Sequence, residues 1–141
     1  MQNKAKIIKQ INAQGPKFIS MLGGQLIDFD TDKTACTFEF TISKDFCHSI
    51  DIVQGGFVTA MLDAVMSHAV IICDQDIVNI SSLEIKTSYL APTRAGKLRV
   101  EGWAIKKSYQ TAFMEGHIYN EDNELTATAS SIAKLLRTPK Q

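Results

Sequence analysis

Between Gln54 and Cys73 the chain carries one helical run so apolar that it has to lie inside something. Val58, Leu62, Val65, Ala69 and Ile72 recur on a single helical stripe, and apolar residues fill most of the remaining circumference. The pattern predicts a helix buried on nearly every side. Its most apolar stretch, residues 65–73, is interrupted by Ser67 and His68 and is about half of the roughly 20 residues a membrane span needs. A core helix is therefore expected, and no membrane partner.

The sequence around this helix has the period of strands. Leu26-Ile27-Asp28-Phe29 reads as a strand, Thr31-Asp32-Lys33 as a turn, and Cys36, Phe38, Phe40 and Ile42 alternate with polar partners, which predicts an antiparallel hairpin. After the helix, residues 80–90, 98–107, 111–119 and 125–136 are strand-like. Upstream, Ile7, Ile8 and Ile11 repeat at helical spacing until Gly15-Pro16, and Phe18, Met21 and Leu22 form a second apolar group before Gly23-Gly24. Two strands, one long helix and four strands cannot alternate as a doubly wound α/β fold does. The expected class is α+β: an antiparallel sheet wrapped around a long central helix, with a small N-terminal helical cap over residues 1–23 and a core over 24–137. All 141 residues are expected to form one domain.

Fifteen basic and fifteen acidic residues cancel, so no global charge steers the chain to nucleic acid, and no nucleic-acid partner is expected. Cys36, Cys47 and Cys73 are odd in number and lack CxxC spacing, which argues for free thiols in a reducing compartment. The N-terminal apolar pairs are broken by Lys9, Gln10 and Asn12 and do not make the core of a signal peptide. A cytoplasmic location is the expectation. No spacing among the histidines and cysteines matches a metal site, and neither a metal nor a cofactor is expected.

Chemistry concentrates at the helix. Gln54-Gly55-Gly56 brings two glycines to its first turn, where unpaired amides sit at the positive end of the macrodipole. Two readings stand open there: a steric turn, or an oxyanion hole for an attacked carbonyl. Asp63 is a carboxylate inside an apolar helix, which is costly unless it is paired or used. It is either a structural hydrogen-bond acceptor or a catalytic base. Thr59 and Ser67 share its face, so their hydroxyls are candidates to support it. His68 and His117 read as structural.

Asp63 follows Gly55 by eight residues, which at 1.5 Å per residue separates the two by about 12 Å along the axis. One helix cannot bring both to one carbonyl. If they act together, they come from two subunits with antiparallel helices, and an isologous dimer becomes a requirement.

The stretch His48-Ser49-Ile50-Asp51-Ile52-Val53-Gln54-Gly55-Gly56, followed by Leu62-Asp63 and by Tyr89-Leu90-Ala91-Pro92 with Gly96, resembles PaaI-type acyl-CoA thioesterases of the hot-dog superfamily. The resemblance covers residues 24 to about 136. It implies a hot-dog fold and an acyl-CoA substrate; the apolar helix and the Gly55–Asp63 separation add the expectation of a homodimer, paired further into a homotetramer. By position, Asp63 falls on the family's catalytic carboxylate, general base or nucleophile, and Gly55 on the glycine whose amide polarises the thioester carbonyl. Ser82 falls on the polar residue that orients the attacking water. Gln54 stands where the family has histidine and His48 where it has asparagine; both side chains still donate hydrogen bonds. Asp51 replaces a usual loop glycine, and Ser108 another. Gly56, Thr59 and Ser67, beside these positions, are candidate substrate contacts. The coenzyme phosphates have candidates at strand ends in Arg94, Lys97, Lys106, Lys107, Lys134 and Arg137. The alternative on the same fold is a non-catalytic acyl-CoA binder.

Overall fold

A computed structural model describes residues 3–139. The first two and last two residues of the expected domain lie outside that range. Two short helices, α1 (Lys4–Gln14) and α2 (Lys17–Met21), precede the strands β1 (Gly24–Asp30) and β2 (Ala35–Ile42). A 3-10 turn at Lys44–Phe46 leads to the long helix α3 (Gly55–Cys73). Then come β3 (Ile77–Tyr89), β4 (Gly96–Lys107), β5 (Thr111–Tyr119) and β6 (Leu125–Arg137). The strands form one antiparallel sheet in the order β1-β2-β4-β5-β6-β3. The sheet curls around α3, which is the expected hot-dog arrangement.

The core is the interface between α3 and the inner face of the sheet. Met61, Leu62, Val65 and Met66 on the helix and Phe38, Phe40, Val100, Met114 and Ile118 on the strands are almost wholly buried. Each such side chain contributes about 1.5–3 kcal/mol on leaving water. The approach is close because Gly102 of β4 and Gly116 of β5 are register partners beneath the helix. A Cβ on Gly102 would lie 2.9 Å from the Met66 backbone, and one on Gly116 would lie 3.1 Å from Met66 Cγ and 3.2 Å from Leu62 Cδ2. Backbone itself therefore forms the floor under α3.

The two edges of the sheet are finished differently. On β1, the Asn12 side chain of α1 donates Nδ2 to the Leu26 carbonyl (3.0 Å) and accepts the Leu26 amide on Oδ1 (2.8 Å), standing in for a neighbouring strand. On β3, 13 residues long, no strand among the described residues lies outside it, and Val78, Leu83 and Tyr89 are more than half exposed. A long open edge of this kind is a template for pairing with another chain.

One expectation changes. The helix is not buried on nearly every side: Gly56 is exposed, and Thr59, Ala60, Asp63, Ser67 and Ile71 form a half-exposed stripe along α3. The sheet covers one side of the helix, and the N-terminal helices pack on β1 rather than on this stripe. β3 also begins at Ile77 rather than at residue 80, because the exposed Val78 and Asn79 mask the alternation that would announce it.

Candidate active site

The first turn of α3 leaves one donor open. Gln54 is the N-cap; its Oε1 accepts the Gly56 amide at 2.8 Å, and its carbonyl accepts the amides of Phe57 (2.9 Å) and Val58 (3.3 Å). Among the described residues, the Gly55 amide is then the member of this turn with no partner. It sits at the positive end of a 19-residue helix, where an anionic oxygen is stabilised.

Asp63 lies two turns further on, half-exposed, and accepts a 2.7 Å hydrogen bond from Ser82 Oγ of β3. Ser82 reaches it because of a β-bulge. The register between β3 and β6 slips between Ser82 and Glu84, leaving Leu83 without a partner. Strand residues face alternate sides, so an uninterrupted β3 would send Ser82 and Thr87 to opposite faces. With the extra residue, Ile80 and Ser82 before the bulge share the helix-facing side with Ile85, Thr87 and Tyr89 after it.

The second half of that face carries a hydroxyl relay. Thr59 Oγ1 lies 2.8 Å from Thr87 Oγ1 and 3.0 Å from the Tyr89 hydroxyl, and Tyr89 donates to the Gly55 carbonyl at 2.9 Å. Tyr89 has one proton, which Gly55 takes. Thr59 therefore donates to Tyr89, and Thr87 donates to Thr59. This corrects the expected role of Thr59: its hydroxyl is turned to β3 and not to Asp63. Ser67, one turn beyond Asp63, is half-exposed on the open stripe and makes no hydrogen bond to the carboxylate either. Thr87 went unnoticed in the sequence, although the five-residue gap from Ile80 to Ile85, odd for two residues on one face, was the available signal.

The remaining candidates surround the helix start. His48 is exposed on the loop before α3, its amide bonded to the Ile52 carbonyl at 3.1 Å, and among the described residues its ring makes no hydrogen bond or ion pair with Asp63, whose hydrogen-bond partner is Ser82. The loop is pinned by Arg94 on Asp51 at 2.7 Å and by Gln54 N–H on the Phe46 carbonyl at 2.9 Å. One chain thus holds two separate polar groups: Asp63 with Ser82, and the Gly55 amide with Gln54, Gly56, Thr59 and Tyr89. Among the described residues no three His, Cys, Asp or Glu side chains gather as a metal site.

The family model described as "Thioesterase superfamily" matches residues 51–127, a span that includes α3, Ser82 and Tyr89. Among solved structures, a phenylacetic acid degradation-related protein from Ralstonia eutropha JMP134 is similar at TM-score 0.82 and 25% identity, over 91% of this chain and 98% of its own. The PaaI protein of the E. coli phenylacetic acid degradation operon matches at TM-score 0.79 and 16% identity, over 94% of each chain. A mutant thioesterase from Pseudomonas aeruginosa matches at TM-score 0.82 and 20% identity, over 93% of this chain and 94% of its own. A search of the curated proteins finds no match.

Proposed function

Since the chain belongs to the thioesterase superfamily, we propose that it hydrolyses acyl thioesters of coenzyme A to the free acid and the thiol. The observation that carries this reading is Asp63: a carboxylate on the open stripe of an otherwise apolar helix, held by one hydroxyl and facing the unpaired strand edge. In this reading Asp63 removes a proton from water, or attacks the thioester carbon itself, while Ser82 fixes the carboxylate. Charge developing on the carbonyl oxygen is received by the free Gly55 amide, with Gln54 beside it.

About 12 Å of helix separates Gly55 from Asp63, so the amide opposite Asp63 belongs to a second copy of the chain. The open β3 edge and the half-exposed stripe of α3 support a twofold assembly in which both are covered. A further pairing of dimers into a tetramer is part of the proposal, as is work in the cytoplasm.

The test is a screen of short-chain, medium-chain, long-chain and aryl CoA thioesters with detection of the released thiol, run beside light scattering. Thiol release by a dimer or tetramer is expected. A fully active monomer at micromolar concentration overturns the shared site, and tight binding of acyl-CoA without thiol release leaves a ligand binder.

A further inference from the structure

Two charges on the open edge of the sheet have no counter-charge in their own chain. Glu84 and Lys86 are exposed on β3, and among the described residues neither takes part in an ion pair. Across β6 they face Ile132 and Ser130. They stand two residues apart, so both side chains lie on the outer face of the sheet, while Ile85 between them packs inward on the core.

The backbone at this edge is half used. The Leu90 amide donates to the Thr126 carbonyl at 2.9 Å, and the Glu84 carbonyl accepts Ser131 Oγ at 2.9 Å, so both residues turn their main-chain groups to β6. The register from Glu84 to Tyr89 is regular, and successive strand residues turn those groups to alternate sides. Ile85, Thr87 and Tyr89 therefore present amide and carbonyl to the edge that lacks a neighbour.

The shared-site reading locates a twofold axis on this edge. If Asp63 meets Gly55 of the partner subunit, the axis passes α3 midway between them, at Thr59, whose neighbour on β3 is Thr87. The outer contacts of the same seam, at Ser82 and Tyr89, bracket Ile85 and Lys86. A twofold perpendicular to the sheet keeps every side chain on its face, so one residue of β3 has to pair with its own copy. That residue is Ile85, Lys86 or Thr87.

Charge separates the three. Centring on Lys86 sets two ammonium groups directly opposite, which is destabilising. Centring on Thr87 puts Lys86 against Ser88 of the partner subunit and leaves Glu84 without a counter-charge. Centring on Ile85 places Glu84 against the partner's Lys86 and Lys86 against the partner's Glu84, and Ile85 exchanges both main-chain hydrogen bonds with its copy. An exposed ion pair alone contributes little; the selection comes from the contrast between attraction here and repulsion one residue away.

We propose that β3 pairs antiparallel with β3 of a second copy about Ile85, and that reciprocal Glu84–Lys86 ion pairs set this register and with it the placement of Gly55 across from Asp63. The proposal rests on the shared-site reading for the position of the axis. The segment Glu84-Ile85-Lys86 is complementary to itself under a twofold, which makes a copy of the chain the partner it fits.

The experiment reads the register by cross-linking. Glu84→Cys and Lys86→Cys, carried on differently tagged chains and expressed together, are expected to form a disulfide-linked dimer on mild oxidation, because the two positions become a close pair about 4.5 Å apart between Cα atoms. Each variant expressed alone, and the native protein with its three free cysteines, should stay unlinked. Linkage in Lys86→Cys alone, no linkage in the mixture, or a monomer by light scattering overturns the proposal. A second pair does not depend on oxidation: Glu84→Lys and Lys86→Glu expressed together should give heterodimers as more than about four-fifths of the dimers by native mass spectrometry, against about half for chains that do not discriminate. A value near half also overturns it. None of these readouts involves thiol release, so an active dimer with the wrong linkage loses the register alone, and the right linkage in a protein that releases no thiol keeps the register while hydrolysis falls.

Discussion

Tyr89 donates its hydroxyl to the carbonyl of Gly55, 34 residues earlier in the chain, at 2.9 Å. The bond ties the last residue of β3 to the first of α3, and the strand runs antiparallel to the helix so that Ser82 meets Asp63, Thr87 meets Thr59 and Tyr89 meets Gly55 in turn. Helix and strand are thus fastened at three points, and the two ends of that seam are the Asp63–Ser82 pair and the Gly55 turn.

Replacing Asp63 by Asn keeps the shape and removes the proton acceptor. Hydrolysis of the best CoA thioester is expected to fall by at least about 10² in kcat, with the melting temperature and acyl-CoA affinity little changed. Ser82→Ala, which frees the same carboxylate without removing it, should cost less, roughly tenfold. Native kcat in a folded Asp63→Asn protein would end the catalytic assignment.

At the other end of the seam, Tyr89→Phe deletes one hydroxyl and leaves the ring. The Gly55 peptide loses its anchor, so kcat should drop several-fold, to about a tenth, while KM stays near the native value. Thr59→Val, which breaks the relay one step back, should move kcat in the same direction by a smaller factor. A rise in KM at constant kcat in both variants would make the relay a matter of ground-state binding alone.

Gly102→Ala puts a Cβ where the Met66 backbone already is. The helix has to lift, and the expected loss is about 1–3 kcal/mol by denaturant unfolding. Unchanged stability would mean that the sheet, rather than the helix, yields at this point.

The stability of the fold carries a histidine signature. Burial holds the folded pKa of His68 below its ordinary 6.5, so between those two values the unfolded chain binds the extra proton and stability declines as pH falls. Above 6.5 this contribution is flat. Asp74, held below the usual carboxylate range by Arg137 and Lys107 against the opposing effect of burial, adds its loss only under more acid conditions, below 3.8. Melting curves from pH 7.5 to 5 should show a decline in the native protein that is shallower in His68→Phe; parallel curves would contradict it.

How much of this was written openly in the sequence differs from residue to residue. The order of elements follows from period alone, and Asp63 announces itself as the single carboxylate in a 19-residue apolar helix. The open stripe does not, since Ala60 and Ile71 look the same whether the chain's own sheet or another molecule covers them. Thr59 and Ser67 share the face of Asp63 on a helical wheel, yet a hydroxyl bonds to whatever lies across the gap, and what lies across from Thr59 is Thr87. That placement depends on the bulge at Leu83, which is a count of backbone residues rather than a property of any side chain.

The glycine floor has a consequence for how the protein can change. Ordinary helices rest on side chains, and substitutions there let them roll by small angles over evolutionary time. Helix α3 rests at Gly102 and Gly116 on main chain, which substitutions at the surrounding side chains leave in place. Its rotational setting is fixed from below, so the compass bearing of Asp63 is decided by two residues on the opposite wall, and it holds for as long as both of them stay glycine.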